Sequence, residues 1–120
     1  MTRESVIEKY LVDAVKKQGG IAYKFKSPGR RNVPDRMLVT NGMEQAVDAI
    51  KHIARYDARI DYESFMRDLL FCFISFVEVK ATDEVASEAQ VREHERLRAY
   101  GFIVEVIDSK LEVDAIVGAP

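Results

Sequence analysis

Phe76-Val77-Glu78-Val79-Lys80 is the stretch of sequence around which the rest of the chain can be organised. Side chains of a β-strand alternate between its two faces, so Glu78 and Lys80 would point the same way. Another carboxylate, Asp35, follows a proline upstream. If Asp35 lies beside Glu78 in the fold, two carboxylates and an ammonium group meet at one place. Such a group can hold a hard divalent cation and activate a water molecule, and we therefore take it as the candidate site.

The length and composition of the chain predict one globular domain covering residues 1–120. Of the 120 residues, 48% are hydrophobic and 32% are charged, a balance that favours a packed core over disorder. Cys72 is the only cysteine, which excludes a disulfide framework and a cysteine-rich zinc site and indicates a reducing compartment. We find neither a signal peptide nor an apolar run long enough to span a bilayer, so we expect a soluble, cytoplasmic protein without a membrane partner.

Hydrophobic periodicity and turn residues predict an alternation of helices and strands along the chain. Helices are predicted at residues 3–18, 43–56, 61–71, 87–100 and 110–117, and strands at 21–26, 37–40, 72–80 and 102–107. This order predicts an α/β domain with a mixed sheet flanked by helices. The helix between the last two strands makes a βαβ unit, so those two strands should be parallel. The helices at about 43–71 separate two strands that a short turn would otherwise join, and we interpret them as an insertion.

The charges of the chain are unevenly distributed, although the formal net charge is only −2. Between residues 24 and 36 the single acidic residue is Asp35, whereas the basic residues are Lys24, Lys26, Arg30, Arg31 and Arg36. A local basic patch can contact phosphates even in a slightly acidic protein, so these five side chains are candidate DNA-binding residues. Two alternatives remain open: the cluster is an ordinary solvated face, or Arg36 pairs with a nearby carboxylate.

Four blocks of the sequence resemble the virus-type replication-repair nuclease (VRR-NUC) domain, a family of the PD-(D/E)xK nuclease superfamily. The blocks occur in the order of the family and nearly span the chain: Gly29-Arg30-Arg31-Asn32-Val33-Pro34-Asp35-Arg36, Phe76-Val77-Glu78-Val79-Lys80, Gln90-x-x-Glu93-His94-x-Arg96-Leu97-Arg98-x-x-Gly101 and Val104-x-Val106-Ile107-Asp108-Ser109. The chain departs from the family pattern at residues 41–72, which are longer than the short turn expected between the two catalytic strands. The resemblance implies a restriction-endonuclease-like core of about four strands with helices on both faces, interrupted by the helical insertion.

The same resemblance assigns roles to individual residues. It implies Mg²⁺ or Mn²⁺ bound by two carboxylates and a backbone carbonyl, those of Asp35, Glu78 and Val79. Lys80 would position or activate the attacking water and offset developing charge. A glutamate of the first helix often completes such a site, and we choose Glu8 over Glu4 because Glu8 lies on the apolar side of that helix. Gln90 would support the site from the helix that follows the lysine.

Two of these assignments have a purely structural alternative. Glu8 closes a predicted capping box with Ser5, and Gln90 closes another with Ser87. Neither alternative is decided by the sequence. His94 lies on a charged helix, and we interpret it as a surface or helix-packing residue.

The function that the resemblance implies is that of a metal-dependent endonuclease that hydrolyses DNA. Stand-alone members of the family resemble Holliday junction resolvases, which implies a homodimer that acts on branched or structured DNA in the cytoplasm of a bacterium or a phage-infected host cell. We expect the insertion to contribute to the dimer contact, because its helices carry more apolar residues than the edge of a small domain needs. The alternatives are a non-catalytic DNA-binding or assembly protein that retains the nuclease fold, and a restriction-like enzyme that reads a duplex sequence.

Overall fold

Five helices and a four-stranded sheet form the described part of this computed structural model, which comprises residues 3–27, 29–56 and 61–117. The helices are α1 (Arg3–Lys17), α2 (Met43–Tyr56), α3 (Tyr62–Phe71), α4 (Glu88–Ala99) and α5 (Lys110–Val117). The strands are β1 (Ile21–Lys24), β2 (Arg36–Val39), β3 (Ile74–Val79) and β4 (Val104–Ile107). The α/β fold class, the order of the elements and the helical insertion are confirmed. The strands β1 and β4 are two residues shorter than predicted, β3 is three residues shorter, and β2 is shifted by one.

The sheet is mixed, with the strand order β1-β2-β3-β4. β1 pairs with β2 and β2 with β3 in antiparallel orientation, whereas β3 and β4 are parallel, as the βαβ prediction required. The insertion formed by α2 and α3 therefore connects two adjacent antiparallel strands. β2 and β3, which carry or adjoin the candidate site residues, form the centre of the sheet.

The hydrophobic core lies between one face of the sheet and the helices α1 and α5. Three buried residues of α1, Ile7, Leu11 and Val15, recur at the four-residue spacing that forms one helical stripe. They pack against the sheet and α5 through Leu38, Val77, Val79, Ile107 and Val113. Because Val77 and Val79 face this core, the residues between them on β3 must point to the opposite face of the sheet.

That opposite face carries Phe76 and Glu78 and is covered in part by α4. The ring of Phe76 lies 5.2 Å from that of Phe25 and 5.6 Å from that of Phe102, measured between centroids. The second contact is edge-to-face, an arrangement that aromatic pairs favour. This aromatic cluster fixes the start of β3 and leaves the end of the strand, with Glu78, directed toward α4.

The two ends of the insertion meet in tight backbone packing. A β-carbon on Gly42, just before α2, would collide with the backbone carbonyl of Cys72, just after α3, so only glycine fits there. Within the insertion, the Asp61 side chain caps α3 by accepting a hydrogen bond from the Ser64 amide at 3.2 Å. None of the described helices has the length and apolar composition needed to cross a membrane.

Candidate active site

Asp35 and Glu78 face each other across the two central strands. The antiparallel register pairs Arg36 with Val77, and one further step along that register places Asp35 opposite Glu78. The Asp35 carboxylate accepts a hydrogen bond from the backbone amide of Val79 at 2.7 Å. Asp35 also shares a side-chain hydrogen bond with Glu78. The structure thus brings together two carboxylates that are 43 positions apart in the sequence.

The environment of Glu78 strongly disfavours its charged form. Its side chain is almost fully buried, and this burial, followed by the hydrogen bond and the charge of Asp35, raises the pKa of Glu78 to about 8. With its pKa raised to about 8, Glu78 keeps a proton at neutral pH. A hard divalent cation can take the place of that proton, because it offers positive charge to both oxygens at once. The donor set therefore fits a metal such as Mg²⁺ or Mn²⁺.

Lys80 and Glu4 lie around this carboxylate pair. The positive charge of Lys80 lowers the pKa of Glu78 and of Glu4, which places its ammonium group near both. The pKa of Glu4 is nevertheless raised, first by burial and then by the negative charge of Asp35. The carboxylate that α1 contributes to this region is therefore that of Glu4.

His94 is the second buried polar side chain beside Glu78. Its Nε2 lies 3.4 Å from a Glu78 carboxylate oxygen, and only 1% of the residue is exposed. Burial lowers the pKa of His94, so the imidazole is neutral at physiological pH. A neutral imidazole can donate one hydrogen bond to the carboxylate and hold it in place without adding charge. The three-residue spacing from His94 to Leu97, which places both on one helical face, is the sequence signal that marks this histidine as inward-facing.

Two comparisons with known proteins, one of sequence and one of structure, identify relatives of this chain. No family model matches it. It is 41% identical over 111 residues to the protein named "Putative nuclease p44" of Acyrthosiphon pisum secondary endosymbiont phage 1, covering 92% of this chain and 87% of the relative. A solved structure titled "VRR_NUC domain" superposes with a TM-score of 0.69 at 26% identity, covering 98% of this chain and 96% of the other. The chain belongs to the VRR-NUC family.

Glu8, the α1 glutamate predicted as a VRR-NUC metal ligand, is engaged elsewhere. It forms an ion pair with Arg36 at 3.0 Å, and the Arg36 guanidinium also donates to the Ala22 carbonyl at 3.2 Å. Arg36 is on the core-facing side of β2, so it meets α1 rather than an open surface. Arg36 therefore pairs with a carboxylate, which is one of the two alternatives that the sequence left open for the basic cluster. The capping box predicted for Ser5 is wrong, because α1 already includes Arg3 and Ser5 lies inside the helix.

Gln90 forms the capping box that starts α4. Its side-chain oxygen accepts a hydrogen bond from the Ser87 amide at 2.9 Å, and its own amide donates to the Ser87 hydroxyl at 3.1 Å. Gln90 therefore has the capping role that the sequence left open as an alternative. By capping α4, Gln90 fixes the first turn of the helix that carries His94. A direct role of Gln90 in supporting a VRR-NUC metal site stays a prediction.

The predicted DNA-binding side chains fall into two groups. Three of them, Lys24, Lys26 and Arg31, are exposed to solvent. Arg30 is instead held by Glu93 of α4 through two hydrogen bonds of 2.9 and 2.6 Å. Glu93, which the sequence alone left without a role, thus ties α4 to the loop that leads into Asp35.

The metal ligands proposed for a VRR-NUC site do not form a closed cage of side chains. Across residues 3–27, 29–56 and 61–117, no three His, Cys, Asp or Glu side chains are grouped so that they could hold a metal ion. Mg²⁺ keeps several of its waters and needs one or two carboxylates, so the Asp35–Glu78 pair with the Val79 carbonyl matches its usual demand.

Proposed function

We propose that this VRR-NUC chain is a divalent-metal-dependent endonuclease that hydrolyses phosphodiester bonds in DNA. The observation that carries the proposal is the pair of Asp35 and Glu78, which face each other across the two central strands with Lys80 nearby. The phage relative is named as a putative nuclease, which supports the same activity. A carboxylate pair with a purely structural role would need neither Lys80 nor the Glu4 carboxylate of α1 nearby.

The residues of the chain have separable tasks in this proposal. Asp35, Glu78 and the Val79 carbonyl would hold Mg²⁺ or Mn²⁺, and Glu4 is the candidate that replaces Glu8 as the contribution of α1. When bound, the metal would supply Lewis acidity and lower the pKa of a coordinated water. Lys80 orients the attacking water and stabilises the negative charge that builds on the phosphate oxygens.

His94 acts as a positioning residue for Glu78. The Val79 amide does the same for Asp35, because its hydrogen bond of 2.7 Å fixes one carboxylate oxygen. In the reaction, water adds to phosphorus, the bond from phosphorus to the leaving oxygen breaks, and that oxygen takes up a proton. The chain prepares this step by fixing the carboxylates before substrate binds.

A cleavage assay tests the proposal directly. A labelled four-way junction, a flap and a linear duplex are incubated with Mg²⁺, with Mn²⁺ or with EDTA. We expect metal-dependent cutting that prefers the branched substrates. Lys80→Ala should cut at least about a hundredfold more slowly while still binding DNA in EDTA. Lys17→Ala, an exposed lysine at the far end of α1, is the matched control and should cut at the wild-type rate. Cutting that survives EDTA, or equal rates for Lys80→Ala and wild type, would exclude the proposed chemistry.

Branched DNA is the substrate that a dimer would favour, and the insertion offers a surface for one. Five large apolar side chains of α2 and α3 are exposed: Met43, Val47, Ile50, Tyr62 and Met66. Those of α2 lie at helical spacing and form one stripe. Two sites related by a two-fold axis would let one particle cut paired strands. Gel filtration of a variant with the insertion replaced by a short turn should give a monomer; an unchanged dimer would defeat this part of the proposal.

A second candidate is a DNA-binding protein that does not cut. It is favoured by the near-complete burial of Glu78 and by the lack of a three-side-chain metal cage among the residues that the structure describes. Tight binding of the four-way junction without cutting, in both Mg²⁺ and Mn²⁺, would select this candidate.

A further inference from the structure

A strongly basic cleft lies between α4 and the loop that precedes Asp35. Its volume is about 450 Å³, and four arginines line it: Arg30 and Arg31 from the loop, and Arg92 and Arg96 from α4. We call it the arginine cleft. Neither Arg92 nor Arg96 belongs to the basic cluster of residues 24–36, and the two elements that supply the arginines are some 60 positions apart in the sequence. The cleft is therefore a product of the fold.

Glu93 sets the position of one of these arginines. Its carboxylate receives two hydrogen bonds from Arg30, at 2.9 and 2.6 Å, and lies 3.9 Å from the Arg96 guanidinium. The hydrogen bond from Arg30 lowers the pKa of Glu93, so this carboxylate stays ionised at neutral pH. Its side chain is 10% exposed, against 44% for Arg30 and 58% for Arg96. Glu93 thus forms the floor of the cleft, and the arginines form its open rim.

The charges of the arginine cleft do not cancel. Four guanidinium groups surround one carboxylate, which leaves three positive charges in the cleft. Guanidinium groups bind phosphate oxygens in a bidentate manner, and they remain charged at any physiological pH. The buried Glu93 carboxylate holds Arg30 in place, while the other arginines stay open to solvent. The cleft is therefore suited to bind an anion from solution.

We propose that the arginine cleft binds a backbone phosphate of the DNA substrate, within about four nucleotides of the bond that is cut. The inference rests on the proposed function for its choice of ligand. Glu93 and His94 are neighbours in the chain, and His94 contacts Glu78 at 3.4 Å. Bond lengths along this path limit the distance between the Glu93 and Glu78 carboxylates to about 15 Å. One strand of duplex DNA carries a phosphate every ~3.4 Å along its axis, so this distance spans about four phosphates.

The salt dependence of DNA binding tests the proposal without any need for cleavage. Affinity for a short duplex is measured in EDTA between 50 and 200 mM salt for wild type and for Arg92→Gln/Arg96→Gln. Each lost phosphate contact lowers the slope of log affinity against log salt by about 0.9. The double variant loses the one phosphate that the cleft binds, so its slope should fall by about 0.9 and its deficit relative to wild type should be about 3.5-fold larger at 50 mM than at 200 mM.

The matched control removes the same charge from another part of the molecule. Lys16 and Lys17 are exposed at the end of α1, about 18 Å along the helix from Glu4. Lys16→Gln/Lys17→Gln should retain the wild-type slope. If the control loses as much slope as the cleft variant, the effect is one of net charge and the arginine cleft has no special role.

Single neutral phosphates locate the contact on the DNA. Methylphosphonate is introduced one position at a time within eight nucleotides of the cleavage site. Wild type should lose affinity at one or two positions within about four nucleotides, and Arg92→Gln/Arg96→Gln should be indifferent to the same positions. Equal sensitivity of the two proteins at every position would overturn the proposal. If the salt slope of the double variant falls as expected but wild type cuts nothing in Mg²⁺ or Mn²⁺, phosphate binding by the cleft stands and the proposed function fails. If wild type cuts but the double variant keeps the wild-type slope, the proposed function stands and the cleft proposal fails.

Discussion

The metal-free protein should lose stability as the pH rises from 6.5 to 8, because of Glu78. Its pKa is about 8 in the folded chain, against an ordinary value of 4.5, so between these values the folded state binds a proton that the unfolded state has lost. Unfolding then becomes easier as pH increases. The effect is absent below pH 4.5 and complete above pH 8.

The neighbouring histidine acts in the opposite direction and over a different range. Burial lowers the pKa of His94 below its ordinary value of 6.5, so the unfolded state binds more protons there and stability rises with pH up to about 6.5. This contribution levels off only about one pH unit above 6.5, once the unfolded histidine is fully deprotonated. Between pH 6.5 and 8 the loss of stability from Glu78 exceeds this gain, and the expected net loss of unfolding free energy is about 1 to 2 kcal/mol.

Urea unfolding followed by circular dichroism, in EDTA, measures this loss at half-unit steps of pH. The chain has five tyrosines and no tryptophan, so tyrosine fluorescence gives a second signal. Glu78→Gln carries a permanently neutral side chain and should show no loss between pH 6.5 and 8. Glu88→Gln, an exposed glutamate on α4, is the control and should show the wild-type loss.

Mn²⁺ should reverse the trend, because a cation that replaces the proton of Glu78 binds better as that proton leaves. At a hundred times its dissociation constant it should add about 2.7 kcal/mol to the stability of wild type. Metal-free stability that stays constant or rises from pH 6.5 to 8, with Glu78→Gln following the same curve, would refute the idea that Glu78 is protonated in the folded chain at neutral pH.

Two further predictions compare matched positions. Gly42→Ala should lower the free energy of unfolding by about 1 to 3 kcal/mol because its β-carbon meets backbone, whereas Gly29→Ala, with open space around it, should change it by less than about 0.5 kcal/mol; urea denaturation of both variants decides this. Glu4→Gln should weaken Mn²⁺ binding about tenfold or more in isothermal titration. Glu8→Gln should retain metal affinity and lose about 1 to 3 kcal/mol of stability, because Arg36 loses its carboxylate partner. If instead Glu8→Gln weakens Mn²⁺ binding and Glu4→Gln does not, Glu8 is the metal ligand.

The sequence predicted the fold well where the signal is local. Helices α2 and α5 have the predicted bounds, Met43–Tyr56 and Lys110–Val117. Parallel pairing of β3 and β4 followed from chirality and connection length alone.

Strand β1 shows the limit of such patterns. The alternation at residues 21–26 puts Ile21 and Tyr23 on one apolar face, yet each of these residues is about half exposed, while Ala22 packs against the core. Periodicity finds the two faces, but the neighbouring helices decide which one is buried.

The candidate site was predictable for the residues that lie on the central strands or directly next to them. Asp35, Glu78 and Lys80 converge because strand parity and one antiparallel register fix their directions. The choice between Glu4 and Glu8 had no such basis, since the two are four residues apart and share one helical face. What separates them is Arg36, whose side of β2 depends on the register, and this arginine pairs with Glu8. Contacts between distant elements, such as the one from Arg30 to Glu93, leave no periodic trace in the sequence.

Helix α4 connects the arginine cleft to the carboxylate pair. Glu93 and His94 are consecutive, both are buried, and the roughly 100° turn between neighbouring residues of a helix directs them to different partners. Glu93 holds the loop that leads to Asp35, and His94 contacts Glu78. Each of the two strands that supply a carboxylate is thus tied to the same turn of α4. Because one rigid turn holds both, a movement of α4 would change the spacing of the carboxylates and of the arginine rim together. The geometry therefore couples the proposed phosphate site of the arginine cleft to the proposed site of cleavage.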